Sequence, residues 1–206
     1  MEAALVEPAA VGMHAAILGE ARLGKSIVIL GAGTIGLMVL QACKSLGATD
    51  ITVVDVMDKR LDLAKELGAS RTINGAKEDT VALLRSEELF GDHGVELVFE
   101  CAGSTFTANQ AVQIVARGGK IMMVGTQSKP VPIDFLKINR EVTIQTSFRY
   151  CNNYPQTIEA IRSGKFNVKD MVTNIYDYED VQKAFEEAID PVKKTEMVKG
   201  VIKVAE

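Results

Sequence analysis

Short apolar runs and amphipathic stretches alternate along most of this chain. Ser26–Leu30 is a continuous apolar run, which is typical of a strand that is covered on both faces. Residues 34–46 carry apolar side chains at helical spacing, and Gly47 follows in the position of a C-terminal cap. The same alternation continues to Thr146, so the sequence predicts strands and helices in turn.

Further elements follow from the same patterns. Strands are predicted at 51–55, 71–73, 95–99, 120–124 and 142–146. Helices are predicted at 58–67, with Asp58 as its cap, at 77–89, and at 105–116, closed by Gly118 and Gly119. Six strands that are mostly joined by helices predict an α/β fold, a Rossmann doubly wound six-stranded parallel sheet.

Three stretches of the chain do not fit this repeating unit. Residues 1–16 are rich in alanine and predict a helix before the first strand. Residues 126–141 contain Pro130 and Pro132 and little helical periodicity, so we expect a loop with an edge or interface segment. After Asn153 the pattern predicts a helix to Arg162, a strand at 172–176, a helix at 178–188 and a strand at 200–204. These last elements exceed a six-stranded unit and indicate a return of the chain to another domain.

Composition narrows the class of protein. The 206 residues are 47% hydrophobic and 24% charged, which is ordinary for a globular domain. A net charge of −4 gives no basic surface for nucleic acid or an anionic membrane, and no apolar run is long enough to predict a membrane span. The three cysteines and two histidines are scattered, without metal-ligand spacing or a disulfide framework: Cys43, Cys101, Cys151, His14 and His93. We therefore expect a reducing, cytoplasmic compartment and no metal site in this chain.

A glycine motif lies between the first strand and the first helix of the alternation. Gly31, Gly33 and Gly36 form a G-x-G-x-x-G run with Thr34 and Ile35 inside it. The first glycine permits a tight turn, the second lets a diphosphate approach the backbone, and the third lets helix and strand pack closely. The N–H groups and the dipole at the helix start favour the negative charge of the diphosphate. The motif therefore predicts a dinucleotide site.

An acidic residue at the end of the second strand bears on which dinucleotide binds. Asp55 lies 19 residues after Gly36, where a carboxylate accepts hydrogen bonds from the adenosine ribose and repels the 2′-phosphate of NADP. Arg60 lies nearby and could instead receive that phosphate, so NAD is favoured while NADP stays open. A tight turn that binds nothing and a methyl-transfer domain are the alternatives to a dinucleotide site.

The ends of the later strands should line the same cleft, since ligands bind outside the carboxyl ends of parallel strands. Core packing is an equal alternative for Val124 and Phe148, whereas the polar side chains of Arg149 and Tyr150 favour contact with a polar ligand over a simple surface position. The residues at these ends are Glu100, Cys101, Ala102, Gly103, Val124, Gly125, Thr126, Ser147, Phe148, Arg149 and Tyr150.

On these residues the chain resembles the zinc-type medium-chain dehydrogenases, and within them the sorbitol/xylitol (polyol) dehydrogenase group. The start of the chain, residues 2–15, is similar to the helix that leads into that family's cofactor domain. Residues 31–36 with Asp55 and Arg60 match its NAD site, and residues 99–103 match its fourth strand end. The most specific likeness is Phe148-Arg149-Tyr150-Cys151-Asn152 followed by Tyr154-Pro155, and the resemblance covers nearly the whole chain.

The resemblance implies roles for particular residues. Glu7 matches a glutamate that approaches the catalytic zinc and its water or substrate, and Arg149 and Tyr150 match residues that contact the polyol. The stretch from Ser147 to Arg149 would lie beside the nicotinamide. Ile35, Asp55 and Arg60 match positions that contact NAD, whereas the stretch after Gly125 (Thr126, Gln127 and Ser128) departs from the family's usual composition.

The resemblance also implies a missing part. Family members carry a catalytic domain before this helix, which supplies the zinc ligands, and none of it is in this sequence. We therefore expect a connecting helix at 1–25, an NAD-binding Rossmann domain at 26–171, and a segment at 172–206 that returns to the absent domain. The chain alone would bind NAD without oxidising a polyol, with zinc only in the absent domain.

The glycine motif is also compatible with two other classes of protein. A stand-alone nucleotide-binding or sensor module without redox activity would also bind NAD. A short-chain reductase is disfavoured because no Tyr-x-x-x-Lys spacing occurs at a suitable place. The sequence also predicts a homo-oligomer, for two reasons. The absent domain would leave apolar surface exposed, and the proline-containing segment at 130–141 could pair sheet edges across a two-fold axis.

Overall fold

The centre of the molecule is a six-stranded parallel sheet, as the sequence predicted. The computed structural model describes residues 2–138, 141–190, 192–195 and 197–204. The order across the sheet is β3-β2-β1-β4-β5-β6, and every neighbouring pair is parallel. The chain order therefore reverses between β1 and β4, which is the position where doubly wound folds bind ligands. The strands are β1 (Ser26–Leu30), β2 (Asp50–Asp55), β3 (Arg71–Asn74), β4 (Val95–Glu100), β5 (Val115–Met123) and β6 (Thr143–Thr146).

Both faces of the sheet are covered, and β1 shows why. Ile27 and Ile29 belong to one buried cluster, while Val28 and Leu30 belong to a second cluster on the opposite face. Side chains alternate between the two faces of a strand, so an unbroken apolar run is what a doubly covered strand requires. The helices of the chain are α1 (Val6–Leu18), α2 (Thr34–Ser45), α3 (Asp58–Glu66), α4 (Thr80–Leu84), α5 (Thr105–Ile114), α6 (Tyr154–Arg162) and α7 (Val181–Ile189).

Two helix predictions need correction. The helix predicted at 77–89 is only α4, because the Asp79 side chain accepts from the amides of Val81 and Ala82 and fixes a later start, while the chain turns after Leu84. Asp58 was expected to cap α3, but Met57 holds the cap position. The carboxylate of Asp58 instead accepts from Asn74 and Lys77.

The junction between α5 and β5 also differs from the prediction. The helix ends at Ile114, two residues early, and β5 begins at Val115 instead of 120. The pairing of β4 with β5 shifts register between Val95 and Leu97, and Gly118 takes a φ of 67° there. The two glycines therefore make an irregular strand start, where the pattern alone indicated a helix stop.

The N-terminal segment packs against this unit, because Ala9 and Met13 of α1 belong to the same buried cluster as Ile27 of β1. A short 3₁₀ turn at Glu2–Leu5 precedes α1, and Met1 lies outside the described residues. The predicted loop after β5 contains a 3₁₀ turn at Phe135–Lys137, and its residues 139 and 140 lie outside the described part.

The C-terminal elements form a small second sheet. The strands β7 (Val172–Asp177) and β8 (Lys199–Lys203) pair in parallel, with α7 between them. The predicted strands and helix are therefore present, with a 3₁₀ turn, Tyr178–Asp180, at the start of the predicted helix. That residues 172–206 return to another domain stays a prediction; residues 191, 196, 205 and 206 lie outside the described part. No helix among the described residues is long and apolar enough to cross a membrane.

Candidate functional site

The glycine loop between β1 and α2 has three different environments at its three glycines. Gly31 has a φ of 105°, and a Cβ there would lie 2.9 Å from the backbone nitrogen of Ala102. A Cβ at Gly36 would lie 1.8 Å from the carbonyl oxygen of Gly31. A Cβ at Gly33 would meet no protein atom within 4 Å. The first and third glycines are therefore required by the fold, whereas the second borders open space at the start of α2.

Asp55 at the end of β2 holds this loop in place. Its Oδ2 accepts from the amide of Ala32 at 2.7 Å, and its Oδ1 accepts from the amides of Val56 at 2.8 Å and Met57 at 3.0 Å. A carboxylate has about four acceptor sites, so these three bonds leave little more than one for a ligand. The sequence predicted a ligand contact at Asp55 and missed its structural role.

A cleft of about 430 Å³ opens beside Asp55. The guanidinium of Arg60 lies 4.0 Å from Oδ2 of Asp55. The carboxylate predicted to accept from the adenosine ribose and the cation that could receive a 2′-phosphate are therefore neighbours. Gly31 and Gly33 form part of the wall, and Phe106, which is exposed, stands at the edge.

A second, larger cleft of about 830 Å³ lies at the ends of β5 and β6. It brings together the residues that the resemblance placed beside the nicotinamide with other residues that the sequence assigned to the cofactor: Ile35, Val124, Gly125, Thr126, Ser147, Phe148 and Arg149. The core alternative for Phe148 is wrong, because its side chain is 80% exposed. Val124 does pack against the core and also lines this cleft. The hydroxyl of Ser147 is buried and has no hydrogen-bond partner among the described residues.

Thr34 lies apart from both clefts. Its hydroxyl donates a hydrogen bond to the backbone carbonyl of Val198, just before β8. The side chain therefore ties the C-terminal sheet to the start of α2. Because the hydroxyl already donates to Val198, the predicted contact of Thr34 with a cofactor would be made by its backbone N–H group.

The loop after β6 carries strained backbone and a cluster of polar side chains. Arg149 and Asn152 have φ values of 53° and 54°, a left-handed conformation that such residues adopt at a cost, often at functional sites. The guanidinium carbon of Arg149 lies 5.5 Å from the centre of the Phe148 ring, within cation–π range.

Two tyrosines of this region contact each other. The rings of Tyr150 and Tyr154 lie 4.8 Å apart. The hydrogen bond that the Tyr154 hydroxyl shares with Tyr150 raises the pKa of Tyr154 to about 12, followed by burial and by the negative charges of Tyr150 and Glu7. The structure thus places the predicted Tyr150 against Tyr154, whose role the sequence left unassigned, while the negative charge of Glu7 acts on the Tyr154 hydroxyl.

Glu100 is the main site residue whose role the sequence missed. It ends β4 with a fully buried side chain that accepts hydrogen bonds from both neighbouring loops. The signal was available in the pattern, because a glutamate at the end of a buried strand must find donors.

The family resemblance implies zinc, so we asked whether the described residues could hold a metal ion. No three of their His, Cys, Asp and Glu side chains form a group that could do so. Burial raises the pKa of Cys43 and Cys101, which disfavours the thiolate form that binds metals. The described residues of this chain therefore do not fit a zinc ion.

Comparison with known proteins identifies the family. A family model described as zinc-binding dehydrogenase matches residues 34–163. An uncharacterized zinc-type alcohol dehydrogenase-like protein of Escherichia coli, YdjJ, is 63% identical over all 206 residues, which are 58% of its length. The sorbitol dehydrogenase of Bacillus subtilis is 40% identical over 91% of this chain and 53% of its own.

A solved structure agrees with these relatives. An Escherichia coli oxidoreductase/dehydrogenase of unknown specificity superposes with a TM-score of 0.95 at 62% identity, over all of this chain and 58% of its own. The fold is thus of the Rossmann doubly wound type. The chain belongs to the zinc-binding dehydrogenase family, and it spans a little over half the length of the curated relatives it matches.

Proposed function

We propose that this chain binds NAD across the carboxyl edge of its six-stranded sheet, as the cofactor half of a zinc-dependent polyol dehydrogenase. The open backbone at Gly33 is the observation that carries the proposal, because it leaves room for a ligand at the start of α2. The dipole and free N–H groups of that helix favour a diphosphate there. The adenosine then lies in the cleft beside Asp55, and the nicotinamide in the cleft beside Ser147.

The preference for NAD over NADP rests on the end of β2. The Asp55 carboxylate is held at the cleft by three backbone amides, so it cannot swing away from an incoming 2′-phosphate. Arg60 is already next to that carboxylate, which offsets part of its positive charge. Both arguments favour a ribose with a free hydroxyl over a phosphorylated one.

The chemistry proposed for the whole enzyme is a hydride transfer between a secondary alcohol and NAD. Bound NAD supplies the hydride acceptor, while the protein binds and orients it. In this chain the walls at Val124–Thr126 and Ser147–Arg149 would hold the nicotinamide and limit its access to water. Since the described residues form no group of three side chains that could hold a metal ion, we propose that the chain alone binds NAD without oxidising an alcohol.

The polyol class of substrate is supported by the loop after β6. Arg149 lines the larger cleft with a strained backbone, and the ring of Tyr150 contacts that of Tyr154. Guanidinium and phenol groups are suited to the several hydroxyls of a polyol. The 40% identity with a sorbitol dehydrogenase favours the same class.

Calorimetric titration with NAD and with NADP tests the proposal. We expect saturable binding of NAD and weaker binding of NADP. Asp55→Ala should lower the ratio of NAD to NADP affinity at least about tenfold, because repulsion of the phosphate disappears. Asp62→Ala removes the same charge from the exposed face of α3 and should leave the ratio unchanged. Absence of binding of either dinucleotide would overturn the proposal.

We also propose a homo-oligomer that forms through the open edge of the sheet. β6 is the last strand of the sheet, and its side chains are largely exposed. The adjoining turn exposes Phe135 and Leu136, the latter to 97%. An exposed strand edge with apolar neighbours favours pairing with another copy. We also propose the reducing, cytoplasmic compartment that the sequence predicts, which is supported by the scattered spacing of the three cysteines.

A further inference from the structure

Glu100 is the most completely buried ionisable side chain at the edge of the sheet where the clefts open. Its relative exposure is 0%. One oxygen, Oε1, accepts from the amides of Ala102 at 3.0 Å and Gly103 at 2.8 Å and from the Thr107 hydroxyl at 2.7 Å. The other oxygen, Oε2, accepts from the side-chain amide of Gln127 at 3.1 Å. In all four bonds an oxygen of Glu100 is the acceptor, as expected of a carboxylate.

The loops that Glu100 joins are in direct backbone contact. A Cβ at Gly103 would lie 2.6 Å from the carbonyl oxygen of Thr126, and a Cβ at Gly125 would lie 2.3 Å from the Gly103 nitrogen. The same first loop touches the glycine motif, since Gly31 abuts Ala102. The loops after β1, β4 and β5 therefore form one continuous layer at the edge of the sheet.

This layer is the wall between the two clefts. Ala102 and Thr107, on the Oε1 side of Glu100, line the cleft beside Asp55. Gly125 and Gln127, on the Oε2 side, line the cleft beside Ser147. A single carboxylate thus holds parts of both clefts, and Gln127 is the one side chain by which it reaches the loop after β5 in the described structure.

We propose that Glu100 is a positioning residue which, through Gln127, fixes the loop after β5 so that the nicotinamide half of the dinucleotide can bind. The inference rests on the proposed function. Glu100 does not touch the ligand; it holds the backbone that does. Loss of the Gln127 bond should weaken binding of the nicotinamide half and spare the adenosine half.

An exchange of the two side chains tests this inference in the full chain. Gln127→Glu places a second carboxylate next to that of Glu100. It should weaken NAD binding about tenfold, which corresponds to the free energy of one charge-assisted hydrogen bond. The affinity for ADP, which lacks the nicotinamide riboside, should change less than about twofold. In the double variant Glu100→Gln/Gln127→Glu the new amide donates to the new carboxylate, so NAD affinity should return to within about threefold of the starting value.

Two further variants serve as controls. Ser128→Glu adds the same charge at the next, exposed position of the loop and should leave both affinities within about twofold. Gln127→Ala removes the donor without adding repulsion, and it carries the test if Gln127→Glu does not fold. Thermal denaturation of each variant reports folding.

The outcomes separate the inference from the proposed function. If the unchanged chain binds neither NAD nor ADP, the proposed function fails. If it binds both, and Gln127→Glu or Gln127→Ala weakens them equally or not at all, Glu100 has no positioning role toward the nicotinamide half. Failure of the double variant to recover NAD affinity would also overturn the inference.

Discussion

Replacement of Gly33 by alanine separates ligand binding from folding. Gly33 is the N-cap of α2 with φ −73° and ψ −175°, which alanine adopts without strain. The added Cβ meets no protein atom within 4 Å. Alanine lowers the entropy of the unfolded chain, worth about 0.4–1 kcal/mol, and is a poorer N-cap by a similar amount. We therefore expect the free energy of unfolding to change by less than about 0.5 kcal/mol.

The same methyl group should strongly weaken NAD binding. It would stand where the diphosphate has to approach the start of α2, and would push the phosphates out of reach of the backbone amides. Loss of about two charge-assisted hydrogen bonds, at roughly 1.5 kcal/mol each, corresponds to a fall in affinity of about a hundredfold. Calorimetric titration gives the affinity, and thermal or urea denaturation gives the stability.

Gly36→Ala is the matched contrast. Its Cβ would lie 1.8 Å from the carbonyl oxygen of Gly31, so the helix or the loop has to move. We expect a loss of stability of about 2 kcal/mol or more, in the range of overpacked cores. If Gly33→Ala binds NAD within threefold of the unchanged chain, the diphosphate does not cross Gly33, and the reasoning fails.

Three further predictions concern the thiols, the tyrosine pair and the sheet edge. A thiol reagent near neutral pH should label Cys151 rapidly and the other two cysteines slowly, since only Cys151 is exposed; equal labelling of all three would contradict the burial. Tyr154 should titrate at about 12, and Tyr150→Phe should lower that pKa toward 10.0, as followed by phenolate absorbance. Because the folded pKa is the higher one, this group contributes stability below pH 10 that is lost toward pH 12; stability that is flat across this window would contradict it. Leu136→Asp should shift an oligomer to monomer in gel filtration; an unchanged elution volume would place the contact elsewhere.

The central part of the fold was predictable because its signals are local. The apolar run of β1, the three glycines and the periodicity of α2 lie within twenty-odd residues, and each needs only its neighbours to be interpreted. The pattern failed at α4 and at the start of β5. At α4 one capping carboxylate, Asp79, decides the start, and at β5 pairing with β4 draws the chain into the sheet after Ile114.

The candidate site was predictable as a set of positions but not as a set of contacts. The carboxyl ends of parallel strands lie at one edge of the sheet, so the residues after β1, β2, β4, β5 and β6 could be grouped from sequence. Hydrogen bonds between distant loops could not. The bond from Gln127 to Glu100 spans 27 residues, and that from Thr34 to Val198 spans 164, and no local pattern encodes either.

Asp55 and Glu100 show that a carboxylate at a strand end can have two functions at once. Asp55 was predicted as a ligand contact, yet its carboxylate also accepts hydrogen bonds from three backbone amides of the loops around it. The carboxylate of Glu100 accepts hydrogen bonds from two backbone amides. A parallel strand ends with its next amides turned toward the cleft, so an acidic side chain there fixes the loop before any ligand arrives. A loss of affinity on changing either residue therefore has a structural component. Ratios of affinities between related ligands, NAD to NADP for Asp55 and NAD to ADP for Glu100, cancel that component when the whole layer moves.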